Sequence, residues 1–170
     1  MLSKPVEDAL NQQMNAEMYS SYLYLSMSGY FAGRSMNGLA GWMKMQADEE
    51  WAHGMKFFNF LLDRGGNPVL KAIDEPPAEF GSPAECFEQV LAHERKVTGM
   101  IHDLVNLAEA EKDIASGPFL NWFVDEQVEE EKIASEILDQ LRMVGDNPAA
   151  QFMMDQMLGG RSSEPGTGEA

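Results

Sequence analysis

Apolar residues recur along most of this chain at alternating spacings of three and four residues, the period of an amphipathic helix. Glycine and proline interrupt the pattern and divide it into four long segments and one short one. We therefore predict an all-α chain, with helices over about 5–31, 37–64, 83–112, 118–145 and 148–158. The fourth helix begins somewhere between residues 113 and 118. No segment shows the alternation typical of a strand.

The connection between the second and third helices is long. Residues 65–82 include three prolines and no helical period, and Gly65 can adopt the left-handed conformation that ends a helix. Ser82, Pro83 and Glu85 then form the pattern of a capping box. The 18-residue connection can extend to about 60 Å, whereas a 27-residue helix is about 40 Å long. This predicts an up-down pair, a long crossover and a second up-down pair.

These elements predict one domain with an appended helix. Residues 1–145 form the four-helix bundle, and residues 146–158 form the short C-terminal helix. Residues 159–170, with the sequence GGRSSEPGTGEA, have the composition of a disordered terminus. A chain of 170 residues is long enough to bury a sizeable core.

Each of the four apolar stripes carries a carboxylate near its middle. The interrupting residues are Glu17, Glu50, Glu94 and Glu130. A shift of register would expose any single one, but four at similar heights predict a shared interior site. Burying an unpaired ion costs several kcal/mol, so protons or metal ions must neutralise the set. Two divalent cations carry four positive charges, which favours a dinuclear site.

His53 narrows the identity of the metal. It lies one turn from Glu50 on the same helix face, although a Glu-x-x-His pair alone is a weak motif. Carboxylate oxygens with one imidazole suit iron, manganese or zinc. Tyr24 lies two turns beyond Glu17 and has two interpretations: a core tyrosine bonded to a polar neighbour, or a donor of hydrogen bonds, electrons and protons beside the metals.

A second acidic set accompanies these positions and consists of Glu49, Glu126 and Glu129. Most such residues form a solvated helix face, but this set could also hold a third ion or relay ions outward. We expect the tryptophans, including Trp51, to be packing residues.

Charge and composition limit the class of partner. The net charge of −16 disfavours nucleic acid and anionic membranes and favours cations, although an acidic surface also serves solubility. Cys86 is the only cysteine, which excludes an internal disulfide and fits a reducing compartment. The N-terminus turns polar too early for a secretory signal, and no apolar run reaches bilayer length. We expect a soluble, cytoplasmic protein.

Four stretches resemble the haem-free prokaryotic ferritins, and the resemblance covers nearly the whole chain. They are NQQMNAEMYSSYLYLSM, QADEEWAHGMKFF, EPPAEFGSP and NWFVDEQVEEEK. The resemblance implies that the first iron is bound by Glu17, Glu50 and His53. It implies that Glu50 bridges to a second iron held by Glu94 and Glu130. Gln127 would orient water or oxygen there, with Tyr24 beside the centre. The implied third iron site consists of Glu49, Glu126, Glu129 and Glu130.

The same resemblance implies a function. The family oxidises Fe²⁺ with O₂ or peroxide at this ferroxidase centre and stores ferric oxyhydroxide inside a 24-subunit cage, whose fourfold contacts the short helix would line. Trp51 stands where bacterioferritins carry a haem-ligating methionine, so no haem is expected. Two alternatives stay open. One is a diiron oxidase or oxygenase acting on an organic substrate, although the second Glu-x-x-His motif is replaced by Gln127 and Glu130. The other is an iron-buffering subunit with slow oxidation.

Overall fold

Five helices form the protein in the computed structural model, which describes residues 2–160. They are α1 (Lys4–Ala32), α2 (Asn37–Asp63), α3 (Pro83–Ala110), α4 (Ser116–Val144) and α5 (Pro148–Gly159). The described residues contain no strand. The all-α fold, the four long helices and the short fifth helix are therefore confirmed.

The start of α3 and the end of α2 have the local structure that the sequence predicts. The Ser82 side chain accepts a hydrogen bond from the backbone of Glu85 at 3.3 Å. The Glu85 carboxylate in turn accepts one from the backbone of Ser82 at 2.7 Å, which completes the capping box. Gly65, just beyond α2, has a φ of 72°, a left-handed conformation that glycine adopts at no steric cost.

Helices α1 and α2 pack as an antiparallel pair. Ser21 Oγ donates to the carbonyl of Ala47 at 2.6 Å, and Ser28 Oγ donates to the carbonyl of Ala40 at 2.8 Å. Residue numbers rise along one helix while they fall along the other. The small serine side chains also let the two backbones approach closely.

Helices α3 and α4 form the second antiparallel pair. Arg142 Nη2 lies 2.8 Å from Glu88 Oε1, and Thr98 Oγ1 donates to Glu131 Oε1 at 2.6 Å. Helices α1 and α3 are antiparallel as well, because Ser20 contacts His93 at one height and residues 9 and 104 line a groove at another. Helices α2 and α3 consequently run in the same direction, and the chain must cross the length of the bundle between them.

The crossover makes this passage along α1. Near its start, Asn11 Nδ2 donates to the carbonyl of Asn67 at 3.1 Å, and the backbone N–H of Val69 donates to Asn11 Oδ1 at 2.6 Å. Near its end, the Tyr30 hydroxyl donates to the carbonyl of Gly81 at 2.7 Å. The segment thus follows α1 from residue 11 to residue 30, which confirms the predicted long crossover.

Apolar side chains form two separate clusters within the bundle. One includes Phe31, Trp42, Met43, Phe87 and Leu141, and the other includes Leu10, Phe57, Ile101, Leu120 and Phe123. Fully burying such a side chain stabilises the fold by about 1.5–3 kcal/mol. The residues between the two clusters form a polar layer, and apolar packing stabilises the helix segments on both sides of it.

Helix α5 docks across the start of α2. Asp155 is buried, and its Oδ1 accepts a hydrogen bond from the backbone N–H of Leu39 at 2.9 Å. Gly38 allows this approach, because a Cβ there would lie 1.7 Å from the Asp155 carbonyl oxygen. α5 reaches Gly159, and residues 161–170 of the predicted tail lie outside the described residues. The division into three regions stays a prediction.

Two further expectations meet different outcomes. Trp51 is 51 % exposed on α2, so the prediction that it packs within the chain is wrong. Its position follows Glu50 directly, and consecutive helical residues point in different directions. Within residues 2–160, no helix is long and apolar enough to cross a bilayer.

Candidate metal centre

The polar layer contains every carboxylate that the sequence placed in the interior. The four glutamates and the histidine are each at most 5 % exposed; they are Glu17, Glu50, His53, Glu94 and Glu130. One comes from each of α1, α3 and α4 and two come from α2. The two apolar clusters close the layer on either side, so these side chains have little access to solvent.

Glu17, Glu50 and His53 form one close group of potential ligands. One potential ligand atom from each lies within 4.8 Å of the other two. His53 Nδ1 is 3.5 Å from Glu50 Oε2, as the spacing of three residues on one helix face requires. Gly54 brings α1 close, since a Cβ there would contact Glu17 Cβ at 3.7 Å and Met18 Cγ at 3.2 Å.

Glu94 and Glu130 approach from the other half of the bundle. The Tyr24 hydroxyl donates to Glu94 Oε1, and Gln127 Nε2 donates to Glu94 Oε2 at 3.2 Å. Gln46 Nε2 donates to Glu130 Oε2 at 3.0 Å. Each of these carboxylates thus has a neutral donor that orients it and leaves further oxygen lone pairs for a cation.

Burial in the polar layer disfavours negative charge on the carboxylates. Burial is the largest of the causes that raise the pKa values of Glu17, Glu50 and Glu130 well above the ordinary value for a carboxyl. Repulsion is the next cause, from Glu50 at Glu17 and from Glu94 at both Glu50 and Glu130. Burial also raises the pKa of Glu94, although the bonds from Tyr24 and Gln127 oppose this.

A metal ion fits this donor set. Glu17 Oε2 is buried and has no hydrogen-bond partner among the described residues, which is costly unless a cation or proton occupies the space beside it. Oxygen ligands with one imidazole suit iron, manganese or zinc. We call Glu17, Glu50, His53, Glu94 and Glu130 the inner centre.

The second acidic set is only partly assembled. Ligand atoms of Glu49, His53 and Glu126 lie within 4.8 Å of one another, so His53 belongs to both groups. Glu49 and Glu126 are partly exposed at the edge of the layer. Glu129 is exposed and lies outside this group. Burial raises the pKa of Glu126, and the negative charge of Glu129 raises it further. We call Glu49, Glu126 and Glu129 the outer acidic set.

Comparisons with known proteins agree with this architecture. The model of the ferritin-like domain family matches residues 7–144. A bacterial non-heme ferritin of Bacteroides fragilis is 45 % identical over 161 residues, which cover 95 % of this chain and 100 % of that one. One from Staphylococcus saprophyticus is 41 % identical over 162 residues, covering 95 % and 97 %. This chain belongs to the ferritin family.

A solved structure supports the ferritin fold. The open pore ferritin of Archaeoglobus fulgidus superimposes with a TM-score of 0.93 at 46 % identity, covering 95 % of this chain and 98 % of that one. A form of the same archaeal ferritin engineered to be closed gives 0.94 at 47 % identity, covering 95 % and 99 %. The resemblance to haem-free prokaryotic ferritins, and the bundle with a short C-terminal helix, are confirmed.

Two residues that donate hydrogen bonds to carboxylates of the inner centre were missed in the sequence. Gln13 donates through Nε2 to Glu17 Oε1 at 2.8 Å, and Gln46 orients Glu130. Gln13 lies four residues before Glu17 on the same helix face, a spacing that could have indicated the pair. Gln46 lies in the apolar stripe of α2, and a polar amide at such a position could have indicated a role in the polar layer.

Proposed function

We propose that this ferritin oxidises Fe²⁺ at the inner centre and stores the ferric product inside a cage of identical subunits. The observation that carries the proposal is the burial of four carboxylates and one imidazole in one polar layer between two apolar clusters, with the charges of Glu94 and Glu130 acting on Glu50. Among the described residues, no lysine or arginine forms an ion pair with them within 4.0 Å. The missing positive charge therefore has to come from protons or from bound cations.

Iron enters this site as the substrate. Two Fe²⁺ ions supply the four positive charges that offset the four carboxylates. Glu17, Glu50 and His53 would bind the first ion, and Glu50, Glu94 and Glu130 the second. Since burial raises the carboxyl pKa values, metal ions compete with protons for these ligands.

The oxidation balances with O₂ as the acceptor. Each of two Fe²⁺ ions loses one electron, and O₂ takes both electrons and two protons to give H₂O₂; with peroxide as the oxidant, the same electrons and two protons give two waters. Tyr24 and Gln127 donate hydrogen bonds to Glu94, and Gln127 would orient water or oxygen beside it. Each Fe³⁺ then reacts with two waters to give oxyhydroxide and three protons.

The outer acidic set would receive a third ion or pass iron onward. It shares His53 with the inner centre, so an ion leaving one site is already within reach of the other. Glu129 would add its charge from the exposed end of the set. The partial exposure of Glu49 and Glu126 suits an ion that exchanges rather than one held permanently.

Assembly into a 24-subunit cage is the form of storage we infer. The chain exposes large apolar residues at two places that another copy would cover. One lies along α1 and the crossover and includes Tyr22, Leu25, Val69 and Leu70; the other is the outer face of α5, with Phe152, Met153 and Met157. Contact between copies through α5 fits its expected place at the fourfold axes.

Mass and kinetics test this proposal together. A cage of 24 subunits of 18.9 kDa should have a mass of about 450 kDa in sedimentation or light scattering.

Two Fe²⁺ per subunit should give a rapid absorbance change with O₂, which Glu50→Ala and Glu94→Ala should abolish. Wild-type initial rates in both variants would remove the assigned centre. A monomer or dimer would favour an oxidase or oxygenase of an organic substrate, and slow oxidation by wild type an iron-buffering subunit. Location in the cytoplasm stays a prediction.

A further inference from the structure

Lys56 lies at one end of the outer acidic set. On α2 it follows His53 by one turn and Glu49 by two turns, so all three occupy one face of the helix. Its Nζ lies 3.2 Å from the centre of the Trp122 ring on α4. Trp122 precedes Glu126 by one turn. The ammonium is therefore held at the same α2–α4 contact that brings the ligand atoms of the outer set together.

Trp122 fixes this ammonium relative to the shared ligand. The indole and the His53 ring are nearly perpendicular, with 5.4 Å between centroids. An aromatic face attracts a cation through its quadrupole, most strongly for tryptophan. The contact with Trp122 thus holds the Lys56 side chain beside the proposed metal ligands.

The charge of Lys56 acts on the outer set without occupying its oxygens. Burial raises the pKa of Glu126, and the positive charge of Lys56 opposes this rise. Burial lowers the pKa of Lys56, and the charges of Glu126 and Glu49 in turn favour the ammonium. Yet Lys56 forms no ion pair within 4.0 Å in the described part of the chain. The carboxylate oxygens therefore stay open to a metal ion while a fixed positive charge stands nearby.

We propose that Lys56 is the fixed counter-ion of the outer acidic set and sets how weakly this set holds a third metal ion. A divalent cation that enters between Glu49, His53 and Glu126 is repelled by the ammonium on Trp122. The same repulsion falls less strongly on the inner centre, since the charges that act on Lys56 are those of Glu126 and Glu49. Lys56 would thereby keep the outer ion exchangeable, so that iron passes onward. The inference rests on the proposed function of the outer set.

Titration calorimetry with Zn²⁺ on the metal-free, assembled protein tests the role of Lys56 without any oxidation step. Lys56→Met keeps the apolar stem on Trp122 and removes the charge. We expect the third ion to bind about tenfold more tightly, or about 1.4 kcal/mol, with the two inner sites unchanged. The gain should shrink at high salt, because salt screens the interaction of partly exposed charges. A purely structural role would not produce this salt dependence.

Two variants serve as controls. Lys56→Arg keeps the charge and stacks well on an aromatic face, so it should bind the third ion like the wild type. Lys44→Met makes the same change on the same helix, but Lys44 pairs with Asp48 and faces solvent. It should leave all three affinities unchanged.

Three results would overturn the inference: no tighter third binding in Lys56→Met than in Lys44→Met, equal tightening in Lys56→Arg, or no third Zn²⁺ in any variant. In each case two intact inner sites would leave the proposed Fe²⁺ oxidation at the inner centre standing. Failure of the wild type to bind at the inner centre would contradict the proposed function, and the inference with it.

Discussion

The inner centre and the outer acidic set share one histidine and draw on adjacent residues of one helix, yet their surroundings differ. Glu50 is 2 % exposed and lies between two apolar clusters, whereas Glu49 is partly exposed and faces α4 beside a lysine. Ligand chemistry is the same in both places. Burial therefore divides the roles that we propose: the inner carboxylates need protons or bound cations for neutrality, and the outer ones are partly compensated by solvent and Lys56.

The largest expected effect is the difference in the rate of Fe²⁺ oxidation between two variants, Glu50→Gln and Glu49→Gln. Loss of a group that merely orients a ligand costs about 10–100-fold in affinity or activity. Glu50→Gln removes the proposed bridging ligand, so the initial rate of Fe²⁺ oxidation should fall by more than about 100-fold. Glu49→Gln should keep the initial rate within about twofold and lose the third ion. Stopped-flow absorbance with two Fe²⁺ per subunit measures the rates.

The two variants control each other, because they differ by one position on the same helix and by the same chemical change. Similar losses of rate in both would abolish the distinction between the inner and outer sites. Similar retention of rate would place the oxidation elsewhere.

The pH dependence of the metal-free protein should show the second largest effect. Folding raises the pKa of Glu17, Glu50 and Glu130 above the ordinary value, so the folded state binds more protons than the unfolded state. The free energy of unfolding should therefore fall as the pH rises from about 4.5 through the raised pKa values. Each of these groups contributes about 1.4 kcal/mol to this fall for every pH unit that separates its ordinary pKa from its raised one. Zn²⁺ should reverse the slope, since binding deprotonates the ligands.

Urea titrations between pH 5 and 8 would measure this slope. Glu17→Gln removes one buried group and should flatten it, whereas Glu129→Gln changes an exposed residue and should not. An equal effect of both substitutions would assign the slope to the general acidity of the surface rather than to the inner centre.

The burial of the inner carboxylates could be predicted from the sequence, and the contacts of the outer acidic set could not. A buried carboxylate breaks an apolar stripe, so Glu94 and Glu130 stand out as soon as the helical period is known. No comparable signal marks the position of Lys56 on Trp122, which depends on side-chain conformations across the α2–α4 contact. Exposure at Trp51 was missed because one turn of a helix carries both a core face and a solvent face, and apolar character alone does not choose between them.

The topology followed from lengths more than from side chains. A segment of 18 residues with three prolines had to be a long connection, and its route along α1 comes from bonds such as Asn11 with Asn67. Asparagine on a helix gives no hint of that bond, because water would satisfy its amide equally well. The crossover could be predicted, but its contacts could not.

Tyr24→Phe should have an intermediate effect. The variant removes the hydroxyl that donates to Glu94 and keeps the buried ring, so Zn²⁺ affinity at the inner centre should change by less than about threefold while the oxidation slows by about tenfold. Gln127 still holds the other Glu94 oxygen. Stopped-flow rates, together with H₂O₂ released per Fe²⁺, would show whether the reaction is slowed or redirected.

Tyr30→Phe is the matched control, because the Tyr30 hydroxyl donates to a crossover carbonyl away from the centre. If both variants oxidise Fe²⁺ like the wild type, Tyr24 is a packing residue only.

Gln13→Met should have the smallest effect and would sharpen the contrast between the two sites. Burial raises the pKa of Glu17, and the amide of Gln13 opposes this by donating to the carboxylate, so its loss makes the ligand harder to deprotonate. A typical intramolecular hydrogen bond contributes about 1 kcal/mol net, or about fivefold in affinity. Zn²⁺ affinity at the inner centre should fall by that factor at pH 6 and by less at pH 8. Gln12→Met, on the exposed neighbour, should change nothing. Since Gln13 contacts Glu17 and no ligand of the outer set, the third ion should bind as before; a parallel loss at both sites would mean that they do not act as separate units.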